Sequence, residues 1–222
     1  MKPRIVFFDL DNTLLTGDSD VLWCRFLMER GLLDAKEFAP RNEDMDARYR
    51  AGTVSAQEFA GFYVSLLAGH SPQELEPLRR EFLAQWIVPR IPAAAIELVR
   101  RHREAGELVL ITTATGRYIT ELTAAHFGVE YLIAIEPEIA GGRFTGRTTG
   151  TLNMREGKVA RLHEWLKDRG ERLGGFHSTA YSDSINDLPL LEAVDEAVAV
   201  DPDAQLAAIA AKRGWRSIRF AR

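Results

Sequence analysis

The chain has 222 residues, 46% hydrophobic and 27% charged, with a formal net charge of −4. A chain of this length buries roughly 70% of its unfolded surface and supports a full apolar core, while its slightly acidic balance offers no field for a polyanion and argues against nucleic acid as a partner. No apolar run approaches a membrane span, and the N-terminal run "IVFF" ends in Asp9 rather than in a small-residue cleavage site, so the expected setting is cytoplasmic with no membrane partner.

In chain order, "RIVFFD" is a short apolar run rich in β-branched and aromatic residues, ended by the polar "DNT", and predicts a buried parallel strand over residues 4–9. From Asp18 to about Pro89 the pattern is helical, with helices near 19–30 and 34–51. Within it lies the single cysteine, Cys24, beside Trp23 and Phe26, where packing is its expected use. Two further helix starts are marked by Ser55 with Glu58 and Ser71 with Glu74, each a capping-box pattern, the second with Pro72 at the first helical position. Four helices with no strand among them read as an inserted bundle.

After Pro92 helices and strands alternate: helix "AAAIELVRRHREAG", strand "ELVLIT", helix "RYITELTAAHFG", strand "YLIAI", helix "EGKVARLHEWLKDRG", strands "TAYSD" and "AVAV", and a terminal "RSIRF". This alternation predicts an α/β fold, a doubly wound parallel sheet with helices on both faces. "PEIAGGRFTGR", with Gly141 and Gly142 between extended segments, reads as a hairpin. The expected organisation is an α/β host of residues 1–16 and 90–222 carrying a helical cap of residues 17–89.

Ligands of open parallel sheets bind beyond the carboxyl ends of the strands. Asp9, Asp11 and Thr13 follow the first strand; Thr113, Ala114, Thr115 and Gly116 follow "LVLIT"; Asp183, Asn186 and Asp187 follow "TAYS". Lys158 lies in the first turn of the helix before that last strand. Singly these have ordinary readings as turn formers, strand-end hydroxyls and a solvated lysine. Four such coincidences at one edge of one sheet point instead to a site.

"DLDNTLL", "ITTAT", the lysine of "REGKVARL" and "SDSINDLPLL" resemble, in order and spacing, the four motifs of the haloacid dehalogenase superfamily of phosphohydrolases. The helical insertion after the first motif looks like the cap of the phosphoserine phosphatase-like branch, and the "DLDNTLL...DSD" opening with "TAT" is closer to a bacterial histidinol-phosphatase-like group. The resemblance implies a Rossmann-like core and hydrolysis of a small phosphorylated metabolite, such as an amino-alcohol phosphate. It implies Asp9 as the nucleophile forming an aspartyl-phosphate, and Asp11 as general acid and base. It also implies Mg²⁺ held by Asp9, Asp183 and the carbonyl oxygen of Asp11. Thr113 and Lys158 would serve the phosphoryl oxygens, with Asp187 orienting Lys158. Thr13, Ala114 and Asn186 would shape substrate binding, and of Asp18 and Asp20, which both stand where the chain enters the cap, Asp18 is by position the better match to reach over the pocket mouth and read a substrate amine, or else caps the first helix of the insertion.

Two departures from the pattern, Ser182 where glycine is common and threonine where that branch often has serine, remove no needed group. A phosphoacceptor signalling module, a non-catalytic binding protein and a phosphomutase share parts of this constellation. Asp11 argues against the signalling module, which has no need of an acid and base at that position. The five histidines show no paired metal spacing, and the four tryptophans are assigned to packing. Oligomeric state is not encoded in any motif.

Overall fold

The computed structural model describes residues 2–220. Seven strands form one sheet: β1 Arg4–Phe8, β2 Leu108–Gly116, β3 Tyr131–Ala140, β4 Arg143–Thr149, β5 His177–Ser182, β6 Glu196–Val200 and β7 Arg216–Ile218, in the order β4-β3-β2-β1-β5-β6-β7. Neighbouring strands are parallel except β3 and β4. Side chains alternate across β1, so Val6 and Phe8 enter one apolar cluster and Ile5 and Phe7 another.

Nine α-helices are found among the described residues: α1 Ser19–Glu29, α2 Ala35–Arg50, α3 Ala56–Ser65, α4 Pro72–Phe82, α5 Ala93–Glu104, α6 Arg117–His126, α7 Glu156–Asp168, α8 Leu188–Ala193 and α9 Ala204–Arg213. Helices α5 and α6 bury Leu98, Val99 and Ile119 against the Val6 face. On the other face α7, α8 and α9 bury Leu162, Leu190 and Leu206 against Ile5 and Phe7. The sheet is thus doubly wound. Because the chain runs from β1 to β2 and β3 on one side and later crosses to β5 on the other, the carboxyl ends of β1, β2 and β5 adjoin, which is where such sheets form a crevice.

Helices α1 to α4 precede the second strand, as the pattern predicted, and α4 continues through a wide π-type turn over Leu83–Ile87 and a 3₁₀ turn over Val88–Arg90. The chain leaves and rejoins the sheet at neighbouring points, with the Thr16 N–H donating to the Arg90 carbonyl oxygen at 2.9 Å. Trp23, Phe26 and Phe82 share one apolar cluster with Phe8 and Val99, and Trp23 packs edge-on to Phe82 at 5.1 Å. Cys24 is buried too, in a neighbouring cluster with Phe59 and Tyr63.

Of the two expected capping boxes, one forms completely. At α4 the Ser71 hydroxyl accepts from the Glu74 N–H and the Glu74 carboxylate accepts from the Ser71 N–H. At α3 Ser55 caps the Glu58 N–H, but the Glu58 carboxylate takes both ends of the Arg48 guanidinium instead, at 2.6 and 2.7 Å. A bidentate charged partner outcompetes a single backbone N–H.

The hairpin forms at the expected place, with Ala140 opposite Arg143 and Gly141 and Gly142 at φ 57° and 77°. This is the twist that a two-residue turn needs. It bonds to the helical segment: the Gly69 N–H donates to the Phe144 carbonyl oxygen, and the Phe144 N–H to that of His70, each at 2.9 Å.

Strand β2 runs past the predicted Thr112 to Gly116, because its pairing with β3 slips between Thr112 and Gly116. The side chain of Asn153 fills the slip, its Nδ2 lying 2.8 Å from the Thr113 carbonyl oxygen and 3.0 Å from that of Ile133. No single helix among the described residues is long and apolar enough to cross a membrane.

Candidate active site

The loop leaving β1 is closed on itself. The Asp9 N–H bonds to the Tyr181 carbonyl oxygen of β5. Asn12, in the left-handed region at φ 61°, donates its N–H to the Gly17 carbonyl oxygen, while its own side-chain oxygen accepts from the Gly17 N–H, both at 3.1 Å. Asparagine tolerates that conformation better than most residues. Leu14 and Leu15 anchor the loop in the core. Asp9 and Asp11 therefore line a cavity of about 250 Å³ together with Asp18, Thr113, Ala114 and Asp183, and Asp187 contributes to its wall.

Lys158 is almost wholly buried, not solvated as a lone helix lysine would be. Its Nζ donates to Asp9 Oδ1 and to Asp187 Oδ2, each at 2.7 Å. Asp187 Oδ2 also accepts from the Ser182 hydroxyl at 2.7 Å, so the serine at the departure from the family pattern helps hold this carboxylate. Burial opposes the ammonium charge, but Asp187 and Asp9 outweigh it and hold Lys158 above its ordinary pKa. Thr13 lies behind the cavity, its Oγ1 2.9 Å from Asp9 Oδ2 and 2.8 Å from Asp183 Oδ1.

Asp11 is held by three hydroxyls. Thr113 and Thr115 reach Asp11 Oδ2 at 3.1 and 2.8 Å, and Ser19 donates its N–H and its hydroxyl to Asp11 Oδ1. Burial raises the Asp11 pKa, and these hydrogen bonds only partly oppose it. Burial likewise pushes Asp9 up to about 7, against Lys158 and with Asp187 and Asp11 adding to the rise. Asp183 is raised by burial and then by Asp9.

Asp18 caps α1, its Oδ1 accepting from the Asp20 and Val21 N–H groups at 2.9 and 3.1 Å, and it also lines the cavity. Both parts expected of it are thus compatible with its position. Asn186 is not a lining residue: its Nδ2 donates to the Tyr49 carbonyl oxygen and its Oδ1 accepts from Arg155, both at 3.1 Å. Helix α2 brings residues that no motif marked. Asp46, Tyr49 and Arg50 line the cavity, and Arg50 Nε pairs with Asp46 at 2.8 Å. Asp201 and Asp203, just beyond β6, complete the acidic wall. Thr115 was named at the end of the second strand without a role of its own, and its bond to Asp11, like that of Ser19, is seen only in the fold.

The donor set suits a hard divalent cation. Asp9 and Asp183 share the Thr13 hydroxyl, which has one proton for two carboxylates, and the charge of Asp9 adds to the rise in the Asp183 pKa. A cation with oxygen ligands removes that repulsion. Among the described residues no three side chains of His, Cys, Asp or Glu close a metal cage by themselves. Such a cation would keep water in its shell, as Mg²⁺ commonly does.

The haloacid dehalogenase-like hydrolase family matches this chain over residues 6–192. A histidinol-phosphatase of Neisseria meningitidis serogroup C (strain 8013) is 40% identical over 98% of this chain and 99% of its own length. A solved structure of a protein of unknown function from Bordetella pertussis Tohama I has a TM-score of 0.93 at 45% identity, covering 98% of this chain and 99% of that one. A phosphoserine phosphatase solved as a phospho-aspartyl intermediate analogue shares the fold, with a TM-score of 0.69 at 17% identity over 100% of this chain and 95% of that one. The strand-end carboxylates, the buried lysine and the match over most of the chain agree: this protein belongs to the haloacid dehalogenase-like hydrolases and is a phosphatase.

Proposed function

We propose that the chain is a Mg²⁺-dependent phosphomonoesterase that acts through an aspartyl-phosphate on Asp9, with an amino-alcohol phosphate of the histidinol phosphate kind as its substrate. The observation that carries this reading is the pairing of Asp9, which lines the cavity together with Asp11, with the buried Lys158 behind it at 2.7 Å. Lys158 keeps the Asp9 carboxylate oriented and offers positive charge beside the position a phosphoryl group takes on that carboxylate. Thr113 and the N–H groups at the start of α6 face the same end of β2 and serve the phosphoryl oxygens. Asp187 and Ser182 fix Lys158 from behind.

Asp11 supplies the proton. Its burial favours the neutral acid needed to protonate the leaving oxygen, and once ionised it accepts from Thr113, Thr115 and Ser19 while it draws a proton from the attacking water. Asp9, Asp183 and the backbone carbonyl of Asp11 would hold Mg²⁺, which supplies charge neutralisation between the phosphate and the carboxylates.

Charge supports the substrate class. Eight aspartates and a single cationic side chain, Arg50, line the cavity, and Arg50 is already paired with Asp46. Such a wall favours a phosphate ester that brings its own cation, and the 40% identical relative is named for one. Phosphate release from a panel of histidinol phosphate, phosphoserine, glycerol phosphate and an aryl phosphate, with Mg²⁺ and with chelator, tests both parts. The expected order places histidinol phosphate first and shows no turnover in chelator. Equal turnover of glycerol phosphate would overturn the substrate class, and full activity in chelator would overturn the metal.

A further inference from the structure

Arg155 holds a backbone conformation, φ 53° and ψ −124°, that residues other than glycine rarely adopt. Strained positions persist where the surroundings over-determine them. Two sets of contacts do so here. Its carbonyl oxygen accepts from the Lys158 N–H at 3.0 Å, which sets the turn that carries the site lysine. Its guanidinium leaves α7 and joins two distant parts of the chain: Nε donates to Asn186 Oδ1 at 3.1 Å and Nη2 to the Gly52 carbonyl oxygen at 2.9 Å. Asn186, itself buried, passes the connection on through its Nδ2 to the Tyr49 carbonyl oxygen.

Tyr49 and Gly52 mark the end of α2 and the turn behind it, and Tyr49 is a wall of the cavity. Gly52 suits the turn through its φ of +70°, and a Cβ there would stand at ordinary contact distance, 3.8 Å, from Asn186 Oδ1. Both atoms of the Asn186 carboxamide are thereby used in linking segments.

We propose that Arg155 and Asn186 form a clasp that holds the end of α2 over the cavity, and that Arg155 is a positioning residue for the hydrolysis proposed above. The clasp is built to open. Its bonds go to neutral oxygens, Arg155 is half-buried and Gly52 is exposed, so water can replace the protein acceptors. With the clasp open, Tyr49 and the Asp46–Arg50 pair are released together from the cavity wall. With it closed, they confine the part of the substrate remote from the phosphate. The planar fork of arginine matches two acceptors in different directions, which a lysine cannot do with the same geometry.

The inference rests on the phosphatase reading for its kinetic part, and hydrogen exchange tests it separately. Arg155→Ala and Arg155→Gly remove the fork, and glycine also relieves the backbone, so agreement between them excludes misfolding of the α7 turn as the cause. In the full-length protein, amides 47–54 are expected to exchange about tenfold faster in both variants while β1 and α7 keep their protection. KM for histidinol phosphate is expected to rise about five- to twentyfold with kcat changed less than about threefold, and Arg155→Lys to lie nearer to alanine than to the parent. Unchanged exchange over 47–54 in both variants would overturn the clasp. A loss confined to kcat would overturn the positioning of the substrate wall and assign Arg155 to the Lys158 turn alone. If the parent releases phosphate from no substrate, the phosphatase reading fails by itself and the exchange result still decides the clasp.

Discussion

Lys158 Nζ and Asp9 Oδ1 lie 2.7 Å apart with water almost excluded, and the same ammonium is equally close to Asp187 Oδ2. Removing the lysine leaves two buried carboxylates uncompensated, a change that costs about 3–5 kcal/mol in comparable buried pairs. Lys158→Met is expected to lower the melting temperature of the metal-free protein and to abolish turnover. An unchanged melting curve would mean that the pair is solvated in solution.

The two aspartates of the first motif should separate chemically. Asp9→Asn is expected to form no phosphoenzyme with any substrate, because no nucleophile remains. Asp11→Asn keeps Asp9 and its lysine, so it should accumulate phosphoenzyme from an aryl phosphate, whose leaving group needs no acid, while losing turnover. Trapping radiolabelled phosphate on each variant reads the difference, and equal labelling would reverse the assignment of roles.

The acidic wall predicts an unusual response to pH. Asp9 is pushed up to about 7 by burial, and burial also raises Asp11, Asp18 and Asp183. Between the ordinary carboxylate range and about 7 the folded protein therefore binds protons that the unfolded chain does not, and stability falls as pH rises across that window. Without metal, the melting temperature is expected to increase from about pH 8 to about pH 6, by about 2–4 °C for each kcal/mol gained. Saturating Mg²⁺ should flatten the trend by replacing those protons. A melting temperature that drops over the same interval without metal would contradict the burial of these carboxylates.

Asp18→Asn distinguishes capping from charge. Asparagine caps a helix as well as aspartate, so α1 should persist, while a buried carboxyl whose pKa is raised by burial and by Asp11 is replaced by a neutral group. The variant is expected to be at least as stable as the parent at neutral pH and to lose about tenfold in kcat/KM for amine-bearing phosphates, with little change for an aryl phosphate. An equal effect on both substrates would show that no amine is read at Asp18.

Gly157 precedes Lys158, and a Cβ there would stand 1.9 Å from the Leu152 carbonyl oxygen. Backbone must move to admit it. Gly157→Ala is expected to displace the first turn of α7 and reduce activity by more than about a hundredfold with a moderate loss of stability, in the range usual for backbone strain. Near-parent activity would show that the 152–157 turn adapts freely.

The placement of the strand-end residues was legible because it is local: Asp9, Asp11, Thr113 and Asp183 follow apolar runs whose period and length define strands. The hairpin was legible for the same reason, through Gly141 and Gly142. The surroundings of those residues were not. Lys158 sits in a polar stretch that reads as a solvent face, and only the fold shows it sealed between Asp9 and Asp187, 149 and 29 residues away. Glu58 followed its local pattern only halfway, since Arg48 competed for the carboxylate. Asp46 and Tyr49 belong to a helix whose polar face gives no sign of which strand ends it will meet. The conformation of Arg155 had no sequence signal at all, because arginine does not prefer positive φ.

The hydrogen bond between Thr16 and Arg90 has a consequence for how such a chain can be rebuilt. Since departure and return are adjacent, a few residues suffice to join them, and the order of the seven strands would survive excision of everything between. Packing would not. Trp23, Phe26 and Phe82 roof the cluster that includes Phe8 and Val99, and a shortened chain would turn that surface to water. The segment is interchangeable as a matter of connectivity and indispensable as a matter of wetting, so a graft from a relative can succeed only if it brings its own aromatic underside.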